Sequence, residues 1–185
     1  MSERLTGLRS LQPYALTGTA FRAVNLRHVA TPLSAVGSAL TGGRYNAKGA
    51  FEALYLAENP TTTLLEVQFA ASSGGRFVAQ PHDPYVVFSV AFRLQRLVDL
   101  HDPQNLLELG LSPVDLQRPW RLKQARGERV LTQEIGRVLF DLGHEGLNYP
   151  SATDGTANLA VFPDNLRPGS SLEITWEGRT LARLL

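Results

Sequence analysis

Residues 41–70, TGGRYNAKGAFEALYLAENPTTTLLEVQFA, demand three kinds of backbone in one short run. Gly42 and Gly43 open it, and adjacent glycines allow conformations and close approaches that a side chain would block. EALYLA (52–57) then reads as a strand of mostly apolar residues. Asn59 is a capping residue and Pro60 suits a first helical position, so NPTTTLLEVQFAAS (59–72) reads as a helix. With the rest of the chain this reads as a mixed α+β domain of several short strands with helices inserted between them.

The rest of the chain follows the same mixed pattern. Residues 1–18 are polar and irregular and read as an N-terminal arm, with one domain over 19–185. TAFRAV (19–24) reads as a short strand, and residues 28–43 as a loop with a short helix. YVVFSVAFRL (85–94) is the clearest strand, rich in Val and Phe, and RLVDL (96–100) either continues it or forms another. PQNLLELG (103–110) and SPVDLQ (112–117) read as short helices. ERVLTQEIGRVLFDLG (128–143) reads as the longest helix, with Leu131, Ile135, Val138 and Leu142 at helical spacing and Gly143 at its end. GLNYPS (146–151), NLAVFP (158–163) and SLEITW (171–176) read as strands separated by turn residues. The class is α+β, and 185 residues suit a single domain.

Composition narrows the chemistry. The chain is 43% hydrophobic and 19% charged, with a formal net charge of +1. That profile belongs to a globular protein with no strong field toward nucleic acid or anionic membrane, so no direct nucleic-acid binding is expected. The absence of cysteine excludes disulfides, thiolate catalysis and cysteine-ligated zinc. The four histidines, at 28, 82, 101 and 144, form no local metal signature, and no metal is expected. Nucleotide-triphosphatase, Rossmann, zinc-protease and nucleophile-elbow motifs are all missing. No secretory signal or membrane-length apolar run is seen, which makes the cytoplasm the expected location.

A few residues invite a functional reading beside an ordinary one. Arg22 alternates with Phe21 on a strand and is either a surface arginine or an anion-holding arginine at a cleft edge. Arg44 follows Gly42 and Gly43, either in a plain turn or where backbone N–H groups and a guanidinium meet an anion. Tyr55, between Leu54 and Leu56, is a core tyrosine or a stacking platform. Glu66 stands among apolar neighbours, where an acid is costly unless it is paired or used. It is either half of a structural salt bridge or a carboxylate that grips ribose and stabilises a cation, as in glycosidic-bond enzymes. Ser151, after Pro150, is by itself a turn serine.

The order of these residues resembles the RES domain family, named for arginine, glutamate and serine. The carrying motifs are Phe21-Arg22, Gly42-Gly43-Arg44-Tyr45-Asn46, Tyr55-Leu56-Ala57 and Leu64-Leu65-Glu66-Val67. Tyr149-Pro150-Ser151 and Asn158-Leu159-Ala160-Val161-Phe162-Pro163 complete the match over about residues 20–165. Tyr45 stands where the family often has tryptophan, and residues 103–127 carry no motif that can be matched.

The resemblance implies a toxin of a bacterial toxin–antitoxin pair. It implies a split β-sheet cleft with surrounding helices, similar to ADP-ribosyltransferase toxins. The substrate would be NAD+, cleaved at the nicotinamide–ribose bond by hydrolysis or phosphorolysis. Inorganic phosphate is then the co-substrate in the second case, and no other cofactor is implied. The partner would be an Xre-type helix-turn-helix antitoxin. On this resemblance Glu66, Arg22 and Ser151 are catalytic, and Gly43, Arg44, Tyr45, Asn46 and Tyr55 bind NAD+. Glu66 would serve the ribose hydroxyls and the cationic centre, the arginines the pyrophosphate or an attacking phosphate, and Tyr55 the nicotinamide ring. Ser151 would support the glutamate or the ribose. Two other readings stay open: transfer of ADP-ribose to a protein, and a module that binds nucleotide without turnover.

Overall fold

The fold is built on a long strand whose side chains alternate between core and solvent. In the computed structural model, which describes residues 3–72 and 84–185, strand β3 spans Tyr85–Asp99. Val90, Phe92 and Leu94 are buried while Ala91, Arg93 and Gln95 between them are exposed, the two-residue period of a half-buried strand. RLVDL thus mostly continues the Val-rich strand.

Helix α1 (Glu3–Thr6) and a 3-10 turn (Gly7–Arg9) precede strand β1 (Tyr14–Asn25). A second 3-10 turn (Leu26–His28) and helix α2 (Val36–Thr41) lead to strand β2 (Leu54–Ala57) and helix α3 (Pro60–Ser72). After β3 come helices α4 (Pro103–Glu108), α5 (Pro113–Gln117), α6 (Trp120–Ala125) and α7 (Leu131–Asp141). Strands β4 (Gly146–Pro150), β5 (Ala157–Val161), β6 (Ser171–Trp176) and β7 (Arg179–Leu184) finish the chain.

One edge of β3 pairs antiparallel with β1 from Tyr14↔Leu97 to Asn25↔Tyr85. The opposite edge of β3 pairs antiparallel with β6 at Ala91–Arg93, and the end of β3 pairs parallel with β4 at Leu97–Asp99. Strand β4 pairs with β5, β5 with β2, and β2 with β1, which closes a ring back onto β3. One face of β2 and β5 sends Leu54, Leu56, Leu159 and Val161 into a core shared with Val90, Phe92 and Leu94. The other face packs Tyr149, Ala160 and Phe162 against Ile135 and Leu139 of α7.

The N-terminal segment departs from an irregular arm. Strand β1 already begins at Tyr14, and Leu5, Leu8 and Leu11 are buried in the core beneath α7. Those three leucines recur every third residue, a spacing masked by the polar residues between them; Met1 and Ser2 lie outside the described residues. Strand β7, unread in the sequence, pairs with β6 across a Glu177-Gly178 turn with positive φ at both residues.

The local signals elsewhere act as their chemistry requires. Asn59 Oδ1 accepts the Thr62 backbone N–H at 2.9 Å and caps α3. Asp102 caps α4, and Ser112 with Asp115 forms a capping box on α5. Gly136 of α7 lets the helix touch the 42–46 turn: a Cβ there would overlap the Tyr45 carbonyl oxygen.

Between α7 and β4 lie buried His144 and Glu145. Burial opposes the Glu145 charge. Ser170 and the backbone N–H groups of Arg167, Gln95 and Arg96 outweigh it and hold the carboxyl below its usual value. Burial, then Arg96 and Arg167, push the His144 imidazole down to about 4.

Two stability predictions follow from this geometry. Unfolded His144 protonates near its ordinary value of 6.5, whereas the folded imidazole resists until about 4. Stability is therefore full above 6.5 and falls as pH drops toward 4, by about 2 kcal/mol between pH 7 and pH 5. Denaturant midpoints at both pH values measure this, and His144→Gln should flatten that limb. Gly136→Val should destabilise by about 3 kcal/mol or more, because helix and turn must separate; a thermal midpoint equal to that of the parent protein would contradict the close contact.

Candidate active site

Strands β1 and β2 meet at one residue pair, Phe21↔Ala57. Beyond it they diverge, and both line a cleft of about 730 Å³ between them. Ala57, Asn158 and Tyr149 lie in register across β2, β5 and β4 and line it from one side. Its lining includes one carboxylate, Glu66, and three guanidinium groups, Arg22, Arg44 and Arg121.

Helix α3 is seated by its first two turns. The Thr63 hydroxyl donates to the Phe21 carbonyl at 3.1 Å, fixing the helix to β1. The Thr62 hydroxyl lies 2.5 Å from Asp154 Oδ2 in the β4–β5 connection. Glu66 stands one turn on from Thr62, on the same helix face. Its Oε1 accepts the Ser151 hydroxyl at 2.8 Å and the Asn158 amide at 3.2 Å. Oε2 takes no hydrogen bond from any described residue. Leu64 and Leu65, read as apolar surroundings, are 43% and 38% exposed, so the helix is less enclosed than its sequence suggests.

Ser151 is fully buried and does not line the cleft. Its own backbone is pinned: the N–H donates to Thr156 O and the carbonyl accepts from the Gln117 side chain. Ser151 is thus a positioning residue for Glu66. Asn158 does the same from β5 and lines the cleft as well, a role hidden in the NLAVFP strand.

The Gly-Gly-Arg-Tyr-Asn turn divides its labour. Asn46 is completely buried, donating to Ser38 O and Phe51 O and accepting from the Tyr55 hydroxyl at 2.7 Å. The same Tyr55 oxygen accepts the Tyr45 backbone N–H at 2.9 Å. Gly43 has no room for a side chain, since a Cβ would strike the Tyr55 ring and Asn46. Tyr45 is also fully buried, its ring centroid 4.5 Å from that of Tyr149. Tyr45 and Asn46 therefore do not line the cleft; they hold the turn from behind. The apolar wall that received Tyr45 was not recognisable from its polar-looking turn.

Gly43, Arg44 and Tyr55 do line the cleft. With its hydroxyl engaged, Tyr55 has only its ring to offer a ligand. Arg44 Nη1 donates to the carbonyls of Leu116, at 2.7 Å, and Arg118, at 3.2 Å, so this arginine also ties the α5–α6 segment to the turn. Arg22 donates through Nη2 to Ser34 O at 2.7 Å, while its Nη1 is buried without a partner. Burial pushes this guanidinium down to about 10. A buried arginine whose one partner among the described residues is a carbonyl is poised for an anion. Sequence reading missed Arg121 and Trp120 of α6, which lie in the stretch that carried no motif. Among the described residues no cluster of three or more His, Asp or Glu is placed to hold a metal ion.

Tyr55→Phe tests the division of labour. Loss of the hydroxyl leaves the Tyr45 N–H and Asn46 Oδ1 unsatisfied and should cost about 1–3 kcal/mol. Thermal unfolding measures it; an unchanged midpoint would mean that the hydroxyl does not hold the turn.

Comparison with known proteins agrees with this architecture. No curated protein matches the sequence. A chain of the crystal structure titled the M. tuberculosis MbcT-MbcA toxin–antitoxin complex has the same fold, with a TM-score of 0.71 and 24% identity. The likeness covers 95% of this chain and 91% of that one. The sequence model of the RES domain matches residues 19–181, which include Arg22, Arg44, Glu66 and Ser151. The chain belongs to the RES domain family.

Proposed function

We propose that this chain is the toxin of a bacterial toxin–antitoxin pair and that it cleaves the nicotinamide–ribose bond of NAD+. The observation that carries the reading is Glu66: one carboxylate oxygen is held by Ser151 and Asn158, and the other takes no hydrogen bond from the described residues, in a cleft whose lining also carries Arg22, Arg44 and Arg121. NAD+ matches that polarity, with an anionic pyrophosphate and a cationic pyridinium on one molecule. The cleft lies within the usual volume of small-molecule sites. The likeness of the split cleft to ADP-ribosyltransferase toxins belongs to the same proposal.

The chemistry needs little from the protein beyond orientation and charge. When the C1′–N bond breaks, its electron pair goes to the pyridinium nitrogen, and neutral nicotinamide leaves without a proton donor. The ribose becomes an oxocarbenium cation. Glu66 stabilises that cation and grips a ribose hydroxyl. Arg22, through its unengaged Nη1, and Arg44 hold phosphoryl oxygens. Tyr55 offers its ring to the nicotinamide. The cation then takes a water oxygen, which loses a proton to solvent, or an oxygen of inorganic phosphate.

A partner of the Xre helix-turn-helix type would cover the cleft. Val36 and Leu40 of α2, which help line it, are 49% and 66% exposed and suit an apolar contact. Such a toxin would act on the cytoplasmic dinucleotide pool.

The test is chromatography of NAD+ and nicotinamide, with and without phosphate, for wild type and Glu66→Gln. Wild type should consume NAD+, and Glu66→Gln should lose about 100-fold or more while remaining folded. Acceleration by phosphate, with ADP-ribose-1″-phosphate as product, identifies phosphorolysis; free ADP-ribose identifies hydrolysis. Label transferred from NAD+ to a protein would replace this reading with ADP-ribosylation. A folded, fully active Glu66→Gln would overturn the mechanism.

A further inference from the structure

Helix α6 brings a third arginine to the cleft from a segment with no recognisable motif. Arg121 is exposed at the cleft lining, and its guanidinium carbon sits 4.5 Å from the centroid of the Trp120 ring. Trp120 is itself 8% exposed, so the stack rests on a fixed surface.

The helix is tied down at both ends of the cleft wall. Gln124 donates to the Thr41 carbonyl at 3.0 Å and accepts from Gln133, which also donates to the Gly43 carbonyl. Arg44 holds the carbonyls of Leu116 and Arg118 just before α6. Arg44 therefore spends part of its donor capacity on the segment that delivers Arg121.

Arg121 has no carboxylate at salt-bridge distance among the described residues. Partial burial, then Arg44, lower its guanidinium below the ordinary value, while Glu66 and Tyr55 act the other way. Two guanidinium groups that repel each other in one cleft are relieved by an anion between them.

We propose that Arg121, oriented by Trp120, is a phosphoryl-binding residue that works with Arg44. The ligand chemistry is a phosphate group, supplied either by the pyrophosphate of a dinucleotide or by free inorganic phosphate. The proposal rests on the reading of this cleft as a nucleotide site, but binding does not depend on turnover.

Calorimetry tests it with three probes: ADP-ribose, inorganic pyrophosphate and inorganic phosphate. Arg121→Gln should weaken at least one of them tenfold or more. Arg121→Lys, which keeps the charge and loses the planar fork, should weaken it about threefold or more. Arg137→Gln removes an equal charge on the outer face of α7, where Arg137 pairs with Asp141, and should change nothing. A loss confined to ADP-ribose and pyrophosphate assigns the residue to the dinucleotide; a loss confined to phosphate assigns it to the acceptor. Equal binding of all probes to wild type and Arg121→Gln overturns the proposal, as does an equal loss in Arg137→Gln. Should Arg121→Gln unfold by circular dichroism, Arg121→Lys decides. NAD+ cleavage with binding indifferent to Arg121 would spare the proposed function and sink this one. Binding that depends on Arg121 without any cleavage would do the reverse, and no binding of any probe to wild type overturns this proposal while leaving the proposed function to its own test.

Discussion

The contact between β1 and β2 is a single residue pair, Phe21 with Ala57, and the cleft exists because the two strands part there. Strands that part leave backbone groups without ladder partners, and buried groups must find others. Thr63 takes up the Phe21 carbonyl, and Arg22 is drawn to Ser34 in the loop that follows. The opening thus recruits a helix on one side and a loop on the other. Those two pieces carry Glu66 and flank Arg22. The sheet remains continuous because β3 pairs with β1 over the whole length of that strand and closes the ring from the far side.

Two glutamates show how differently one residue type can be used. Glu145 is fully buried, and both its oxygens are filled by backbone N–H groups from β3 and the loop before β6. It is a structural staple. Glu66 receives its two donors on one oxygen only, and those donors are side chains at the far end of a strand pair. A carboxylate satisfied on one side and, among the described residues, unengaged on the other is built to meet something else. In the sequence Glu66 stands between Leu65 and Val67 and Glu145 between His144 and Gly146, and neither setting reveals which oxygens are filled.

The two tyrosines of the 41–70 stretch make the same point. Tyr45 and Tyr55 both carry a flat ring near a glycine turn, yet Tyr45 is fully buried and Tyr55 reaches the cleft. The difference arises from α7, which approaches the Tyr45 backbone at Gly136 and leaves that ring no exit. Gly43 likewise earns its place through the Tyr55 ring and Asn46 behind it, more than through any ligand in front. Arg44 serves both sides at once, gripping the α5–α6 carbonyls and lining the cleft.

Local chemistry was legible without coordinates. The Asn59-Pro60 start of α3, the Ser112 cap and the alternation in β3 depend on neighbours within a few residues, and the order of the Arg22, Arg44, Glu66 and Ser151 motifs can be read directly along the chain. Those signals determined an α+β chain of the RES domain family. Only the tertiary structure could decide that Leu5, Leu8 and Leu11 join the core, that Tyr45 and Asn46 stand behind the cleft, and that Arg121 enters it. Each of these depends on which surface a distant element covers. Burial and charge proximity are set by the packing of α6, α7 and the sheet; the three-residue spacing of Leu5, Leu8 and Leu11 marks them only as apolar, and the surface they meet is supplied from far along the chain.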